Sequence, residues 1–480
     1  MRRGEIAIVA ALLGCGKVAA PSAAPDGGAG TVAITTATGA LCVGSGSHAG
    51  LKLTIARTGD ASDVAVTLDA PAFVSSGDLT IAAADDAGTL AISLDASAPE
   101  GTYPITVHAG PASHDLLLFV GPPAGTLDAS FATAGVLSLA PGHSVDRAAL
   151  LPQGPNVLLS LASSLGSPPY VVRVNEAGHV DPTFSLTPSA LDAGVYALGA
   201  RADGTILAAT TKSPNGCISF TEMSADGAVG VSRTTGNCAA PATSPDLTLP
   251  MCVVERADHG VVLAGELPDC CGFATAFSPD GTADAAFAQV DYLQPKPFID
   301  SVWACALEPS GDLVLANFQG MRILGQDGST VFDDEAPSAP NGTSLALLSD
   351  GTIVEGVWLG DPSHVTSSEL LWREPTGKTT HTTALYAHEA PLASATPLAL
   401  AASADDFVYV LTGYELSRYI ATGAATGAVD ASFQVASVMS PWSAPSEQTG
   451  AAVATDSCGR VVVATLSADG SSGELRRFWP

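Results

Sequence analysis

A repeat of about 50 residues runs through the sequence and constrains its fold more than any other feature. Its clearest element is a glycine turn in the pattern Gly-x-x-Asp-x-x-Phe. Four copies keep the complete pattern, and they begin at Gly125, Gly178, Gly281 and Gly427. Three degenerate copies keep only the turn, at Gly227, Gly328 and Gly377. From Gly178 onward the six turns are 49, 54, 47, 49 and 50 residues apart, which indicates one structural unit repeated along the chain.

A second series of turns alternates with the first and divides each unit into two hairpins. Each of these turns precedes a short apolar strand, as at Gly154 before Val157–Leu159 and at Gly351 before Ile353. Seven such turns occur between residues 154 and 459. Two hairpins make four antiparallel strands, and seven consecutive four-stranded units are typical of a β-propeller. The sequence therefore predicts an all-β fold with a seven-bladed β-propeller over residues 122–480.

The two ends of the predicted propeller complement each other. The last unit begins at Ala451 and ends at Pro480, before it reaches a Gly-x-x-Asp-x-x-Phe segment. A copy of that segment without a unit of its own, Gly125–Phe131, precedes the first unit. We therefore expect residues 125–139 to pair with the last blade and close the ring, because closure removes unpaired strand edges.

Residues 31–121 have a different pattern, in which apolar residues occupy every second position. Leu51, Leu53 and Ile55 alternate with polar or small residues, and similar runs follow between Gly, Pro, Asp and Ser. This pattern predicts a β-sandwich of about 90 residues. Within it, residues 98–107 resemble the penultimate-strand motif of bacterial Ig-like domains. The resemblance implies a spacer that lifts another module off the envelope.

The first 30 residues are typical of an export signal followed by a tether. An apolar run, Ile6–Leu13, follows two arginines and is too short to span a bilayer, so residues 1–14 fit a signal peptide. The run ends in Leu12-Leu13-Gly14-Cys15, which resembles a bacterial lipobox. The resemblance implies a lipoprotein acylated at Cys15, and the alternative is an ordinary secretion signal. Residues 15–30 are rich in Ala, Pro and Gly and predict a flexible tether.

Charge and cysteine content limit the cellular compartments and the classes of partner that fit this protein. The chain has 48 acidic and 19 basic residues, so a net charge of −29 excludes nucleic acid and anionic membrane surfaces as partners. We expect an outer-membrane protein of the cell envelope that contacts the membrane only through its anchor, because Gly16 is not the aspartate of inner-membrane retention. Eight cysteines besides Cys15 predict structural disulfide bonds in an unknown pairing. No metal-ligand spacing is present, so no metal or cofactor is predicted.

The repeat resembles the delta-60 repeat of myxobacterial and related secreted proteins, most closely at Gly125–Phe131 and Gly427–Phe433. The resemblance covers residues 122–480 and implies a fold, since the family has no agreed catalytic residues. The repeated aspartates and phenylalanines are predicted to be structural, the aspartates capping turns and the phenylalanines packing between sheets. These residues are Asp128, Phe131, Asp181, Phe184, Asp284, Phe287, Asp430 and Phe433. The alternative is a ring of aspartates that binds Ca²⁺ or a cationic ligand.

No local catalytic motif is present, since both the G-x-S-x-G elbow and the phosphate-binding loop are absent. We therefore predict a non-catalytic binding protein for an unknown surface protein or glycan, with no catalytic residues. Trp442, between Pro441 and Pro445, is the candidate ligand contact, because a loop aromatic can stack on a ligand. The alternative is a propeller enzyme, of lyase or glycosidase type, that acts on an extracellular polymer. Such an enzyme needs carboxylates or a histidine converging on one mouth of the central channel.

Overall fold

The computed structural model of the protein describes most of residues 31–480, and all regular secondary structure in the described part is β-strand. The residues outside the description are 1–30, 37–38, 60–61, 143–144, 146, 163–167, 185, 187–190, 192–193, 213–216, 235–248, 268–270, 285–286, 288–289, 292–301, 318–319, 335–340, 362–363, 387–398, 405, 413–414, 422–425, 434–435, 438–450 and 467–470. Within the described ranges, no helix has the length and apolarity to cross a membrane.

The N-terminal domain is a sandwich of two sheets. Its strands are β1 (Thr31–Thr36), β2 (Ala40–Gly44), β3 (His48–Thr58), β4 (Val64–Asp69), β5 (Val74–Ser76), β6 (Leu79–Ile81), β7 (Ala87–Leu94), β8 (Gly101–Ala109) and β9 (Ala112–Gly121). One sheet has the order β1-β3-β7-β5 and the other β2-β9-β8-β4-β6, with β2 parallel to β9. The alternating apolar residues of both sheets, including Leu53, Ile92 and Leu118, form one core between them.

In the described residues seven further sheets follow, and we number them as blades in chain order. Blade 1 contains β11 (Arg147–Gln153), β12 (Asn156–Ala162) and β13 (Tyr170–Val174), and blade 2 contains β14 (Val195–Ala200), β15 (Ile206–Lys212), β16 (Cys217–Met223) and β17 (Val229–Thr234). Blade 3 contains β18 (Leu249–Glu255), β19 (Val261–Leu267), β20 (Cys271–Phe277) and β21 (Val290–Asp291). Blade 4 contains β22 (Val302–Leu307), β23 (Leu313–Asn317), β24 (Gly320–Leu324) and β25 (Thr330–Asp333).

The remaining strands form three more blades. Blade 5 contains β26 (Asn341–Leu347), β27 (Ile353–Asp361), β28 (His364–Arg373) and β29 (Thr379–Tyr386). Blade 6 contains β30 (Ala399–Ala402), β31 (Phe407–Leu411), β32 (Glu415–Ile420) and β33 (Ala436–Ser437). Blade 7 contains β34 (Ala452–Thr455), β35 (Val461–Leu466), β36 (Gly473–Phe478) and, as its outer strand, β10 (Val136–Leu139).

The blades form a closed ring. Each first strand contacts the first strand of the next blade, and β34 of blade 7 contacts β11 of blade 1. The first strands therefore surround the central channel, and the fold is a β-propeller, as the sequence predicts. Blade 7 joins the two ends of the propeller chain, because β10 pairs antiparallel with β36 and places Val136 opposite Arg476.

The antiparallel order gives the propeller two different faces. The turns between first and second strands and between third and fourth strands lie on one side, which we call the turn face. The connections between second and third strands, and from one blade to the next, leave from the opposite side, which we call the loop face. Most segments outside the described residues of the propeller belong to loop-face connections.

The sandwich is bonded to the turn face at blades 6 and 7. A disulfide joins Cys42 of β2 to Cys458 in the first turn of blade 7, and the backbone N–H of Cys42 donates to the carbonyl of Cys458 at 3.0 Å. Arg418 of blade 6 donates to the Ser47 hydroxyl at 2.8 Å. The ring of Trp479 lies against Gly121, where any side chain would clash with it. The two domains are thus joined by covalent, polar and packing contacts.

Candidate functional site

The repeated aspartates lie on the turn face and are bound by neighbouring groups of the chain. In blade 7, Oδ1 of Asp128 accepts hydrogen bonds from the backbone N–H of Ser130 at 3.0 Å and its hydroxyl at 2.6 Å. Oδ2 of the same carboxylate accepts one from Nε of Arg477 at 2.9 Å. The aspartate therefore caps its own turn and pairs with an arginine of the third strand.

The same arrangement recurs in blades 1 and 6. Asp181 accepts from Thr183 and Arg173 in blade 1, while Asp430 accepts from Ser432 and Arg418 in blade 6; all four hydrogen bonds are 2.8–2.9 Å long. Blade 3 differs, because its third strand has no arginine at this position. There Asp284 accepts from Arg256, which lies in the other turn of the same blade, at 2.6 Å.

The phenylalanines of the motif complete this unit. Phe131, Phe287 and Phe433 are buried between sheets, and Phe184 is half-buried. The guanidinium of Arg477 lies 4.6 Å from the centre of the Phe131 ring, so the arginine that binds the aspartate also stacks on the phenylalanine. In blades 1, 6 and 7 the unit therefore joins a turn, a third-strand arginine and a phenylalanine ring.

The acidity of these aspartates follows from their partners. Hydrogen bonds from Thr183, with a smaller contribution from Arg173, lower the pKa of Asp181. Burial opposes the ionisation of Asp430, but Arg418 and Ser432 outweigh it and hold the pKa of that carboxyl below its ordinary value. Both groups are therefore ionised at neutral pH. Within the described residues, no group of three or more His, Cys, Asp or Glu side chains could hold a metal ion.

The domain joint contains a serine, a histidine and an aspartate that the sequence analysis did not bring together. Nδ1 of His48 lies 3.4 Å from Oγ of Ser432, and Nε2 lies 3.6 Å from Oδ2 of Asp430. A nucleophile and its base are usually 2.6–3.2 Å apart, and Asp430 is already paired with Arg418 at 2.6 Å. The cluster therefore holds the domains together and does not have the geometry of a catalytic triad.

The central channel is lined mainly by small and apolar residues. In the seven first strands as described, only Arg147 and Glu255 are charged. Glu255 lies at the turn-face end and accepts hydrogen bonds from Arg201, Ala202 and His259. Burial opposes its ionisation, but these hydrogen bonds hold the pKa of Glu255 below its ordinary value. The described first strands thus provide no pair of carboxylates for acid–base chemistry.

The loop-face end of the channel has an aromatic and sulfur-containing rim. The pairing of first and second strands shifts register at Tyr196, Met251 and Trp303, in blades 2, 3 and 4. Such β-bulges re-aim side chains and are frequent near binding sites. Arg147 of blade 1 reaches past blade 2 and donates to the Met251 sulfur at 3.1 Å. No sequence signal identified these residues, because a bulge depends on the pairing partner.

Several residues singled out in the sequence lie outside the description. Cys15 and the tether are outside it, as is the candidate ligand contact Trp442, which falls in the sequence between β33 of blade 6 and β34 of blade 7. The structure contains two disulfides among the described cysteines, Cys42–Cys458 and Cys252–Cys305, which confirms that the chain uses structural disulfide bonds. The second joins the first strands of blades 3 and 4. The side chains of the other four cysteines lie outside the described residues.

Comparison with known proteins identifies similar folds. No family model matches the chain, and no curated protein matches it. A streptogramin B lyase structure is 15% identical, with a TM-score of 0.45, and the match covers 71% of this chain and 97% of that one. The WD40 domain of Neurospora crassa Pan2 is 10% identical, with a TM-score of 0.45, over 72% and 95% of the two chains.

A third similar structure is a protein of unknown function from Bacteroides thetaiotaomicron. It is 11% identical, with a TM-score of 0.39, and the match covers 93% of this chain and 98% of that one. At this level of similarity the three structures support no activity. The chain has an all-β propeller fold, and its function has to be argued from its own residues.

Proposed function

We propose that this protein is a non-catalytic binding protein of the cell envelope, anchored by a lipid on Cys15, that binds a surface protein or glycan through its loop face. In this proposal an Ig-like sandwich carries a seven-bladed propeller of delta-60 type. The anchor and the tether precede β1, so both connect to the sandwich and not directly to the propeller. The outer membrane is the proposed location.

The observation that carries the proposal is the position of the sandwich. Among the described residues, the contacts of the sandwich with the propeller reach the turn face, including those at Cys458, Arg418, Ser432 and the Trp479 end of β36. In the described residues the opposite face has no contact with the sandwich. An anchor attached through the sandwich therefore leaves the loop face available to a partner.

The chemistry of the loop face supports the same function. Its connections differ in length from blade to blade, whereas the turns repeat, and variable loops on a rigid scaffold are where binding usually resides. Tyr196 is buried, whereas Met251 and Trp303 are half-buried and provide apolar and aromatic surface at the channel mouth, which suits a sugar ring or an apolar side chain. The first strands, as far as they are described, contain no pair of carboxylates that would support acid–base catalysis.

The test of binding uses the whole chain from residue 15 with Cys15→Ser, because the disulfide from Cys42 to Cys458 joins the domains. Immobilised protein captures partners from envelope extract at low and high salt, and the partner is then titrated with purified protein. We expect one saturable partner whose affinity falls about tenfold in Trp442→Ala, the loss typical of an aromatic contact.

The matched control is Asp327→Asn, which changes an exposed turn of blade 4. Affinity unchanged in this variant and lowered in Trp442→Ala supports recognition by the loop face. No saturable partner at any salt concentration would contradict the binding function, and equal loss in both variants would contradict the assignment to the loop face.

The anchor has its own test. Expression in a Gram-negative host with a labelled fatty acid should label the wild-type protein and leave Cys15→Ser unlabelled. The variant should also move from the membrane fraction to the soluble fraction, because acyl chains provide the stable attachment. A wild-type protein that remains unlabelled and soluble would overturn the lipoprotein assignment without affecting the binding test.

A further inference from the structure

A fully buried carboxylate lies between blades 4 and 5, away from the repeated aspartates. Glu355 belongs to β27, and Nε and Nη2 of Arg373 donate to its Oε2 at 2.9 and 2.8 Å. Its other oxygen, Oε1, accepts no hydrogen bond. An ionised carboxylate with one unpartnered oxygen is costly to bury, so this oxygen needs a positive or hydrogen-bond-donating group.

Backbone oxygens surround the same place. Oε1 of Glu355 lies 2.5 Å from the position that a Cβ atom would take at Gly342. The carbonyl oxygens of Asn317 and Gly320, in the β23–β24 hairpin of blade 4, lie 3.2 Å from that position. Glycine leaves this position open, so three oxygens from two blades converge on one point.

The local charges are not balanced. The Arg373 guanidinium is shared, because Nη2 also donates to Asp334 at 2.8 Å and Nη1 donates to the Gly377 carbonyl at 3.0 Å. With both carboxylates ionised, Glu355, Asp334 and Arg373 carry a net charge of −1. The Arg373 donors lie on the Oε2 side of the Glu355 carboxylate, and the carbonyl oxygens of Asn317 and Gly320 lie on the Oε1 side.

We propose that the three oxygens of Glu355, Asn317 and Gly320 bind a monovalent cation, K⁺ or Na⁺, between blades 4 and 5. Carboxylate and carbonyl oxygens are the ligands of hard cations, and carbonyl oxygens replace the hydration shell of K⁺ in channels. A water molecule would donate a hydrogen bond to Oε1 of Glu355 but leave the charge of −1 in place. A divalent ion would leave an excess of positive charge beside Arg373.

Blade 5 lacks the motif aspartate at this point. Arg373 is the last residue of β28, one position closer to its turn than Arg173 is in blade 1, and the turn at Gly377 has no motif aspartate. The acidic partners of Arg373 are Glu355 and Asp334. The cation then joins the hairpin of blade 4 to the second strand of blade 5.

The first test compares thermal unfolding of the full chain in KCl, NaCl and choline chloride at equal ionic strength. Burial raises the pKa of Glu355 to about 7, so the measurement is made at pH 8.5, where a proton does not compete with the ion. We expect the midpoint to rise by about 2–5 °C in KCl or NaCl relative to choline chloride. Equal midpoints in all three salts would overturn the proposal.

Three variants locate the effect. Glu355→Gln supplies an amide N–H₂ to the carbonyl oxygens, and Gly342→Ala places a methyl group at the binding point, so both should remove the difference between the salts. Glu308→Gln is the matched control, because Glu308 is also a buried carboxylate with an unpartnered Oε1 and should keep the salt response. A response that survives in both site variants would place the ion elsewhere and overturn the assignment.

A direct measurement covers the case in which the site variants do not fold. Crystals of the wild-type protein grown with RbCl should show an anomalous peak within coordination distance of Glu355 Oε1. A well-ordered site without such a peak would show that water or a proton occupies the point, and this also overturns the proposal.

Discussion

The turn face and the loop face of the propeller use the same strands in different ways. On the turn face, short turns repeat in sequence and geometry, and Asp128, Asp181 and Asp430 each bind a third-strand arginine. On the loop face, the connections vary in length, and the described rim consists of apolar and aromatic residues with one arginine. Among the described residues, the bonds that recur from blade to blade therefore lie on the face whose sequence repeats.

This division has a consequence for mutations. Substitutions on the turn face should mainly change stability, and substitutions on the loop face should mainly change binding. The sandwich strengthens the contrast, since it bonds to the turn face through Cys458 and Arg418. Four measurements test this division.

The largest effect is expected at the ring closure. Asp128 and Arg477 are 1% and 2% exposed, so Asp128→Asn leaves a buried guanidinium without its counter-charge. We expect the free energy of unfolding to fall by about 3–5 kcal/mol, measured by urea denaturation at pH 7. The control is Asp181→Asn in blade 1, whose carboxylate is 15% exposed and which should cost at most about 1 kcal/mol. Equal losses of unfolding free energy in the two variants would show that the burial of Asp128 does not increase the cost of removing its charge.

The domain joint should give the second effect. The disulfide between Cys42 and Cys458 spans 416 residues of sequence, and Cys42→Ser with Cys458→Ser should lower stability by about 2–4 kcal/mol. In the double variant we expect the sandwich and the propeller to unfold in separate transitions. Calorimetry and near-UV circular dichroism measure these transitions. A single transition with unchanged stability would show that the polar contacts alone join the domains.

The third effect concerns pH. The folded pKa of Asp430 is lower than its ordinary value, so this carboxylate stabilises the fold above about pH 4 and loses that contribution as the pH falls through the folded pKa. The stability difference between wild type and Asp430→Asn should therefore be largest at neutral pH and shrink toward pH 3. Denaturant titrations at both pH values measure it, and a difference that grows in acid would contradict the assignment.

The smallest effect on stability is expected on the loop face. Trp442→Ala should change the free energy of unfolding by no more than about 0.5 kcal/mol, because the sequence predicts a loop at this position, outside the repeated units. The same variant should weaken partner binding, as described above. Urea denaturation measures the first quantity, and a loss above 2 kcal/mol would place this tryptophan in the packed core instead.

Much of the fold follows from short-range patterns in the sequence. The alternation of apolar residues along a strand and the turns between strands are patterns within about ten residues. Their recurrence at a fixed spacing was sufficient to predict the all-β propeller. Local chemistry also predicted that Asp128 caps its turn, since its Ser130 partner is two residues away. Lipidation at Cys15 and ligand contact at Trp442 stay predictions.

Contacts between distant parts of the chain could not be predicted in this way. Arg477 and Asp128 are 349 residues apart, and they meet only because the ring closes through β10 and β36. Nothing near Glu355 in the sequence indicates the carbonyl oxygens of Asn317 and Gly320, because they belong to the preceding blade.

The repeating unit, its turns and the all-β class thus follow from the amino-acid sequence alone, because those features depend on neighbouring residues. Tertiary structure decided which arginine binds each aspartate, which cysteines pair, which face the sandwich covers and where Glu355 is buried. The physical reason is that these contacts depend on how blades and domains pack against one another, and sequence spacing carries no information about that packing.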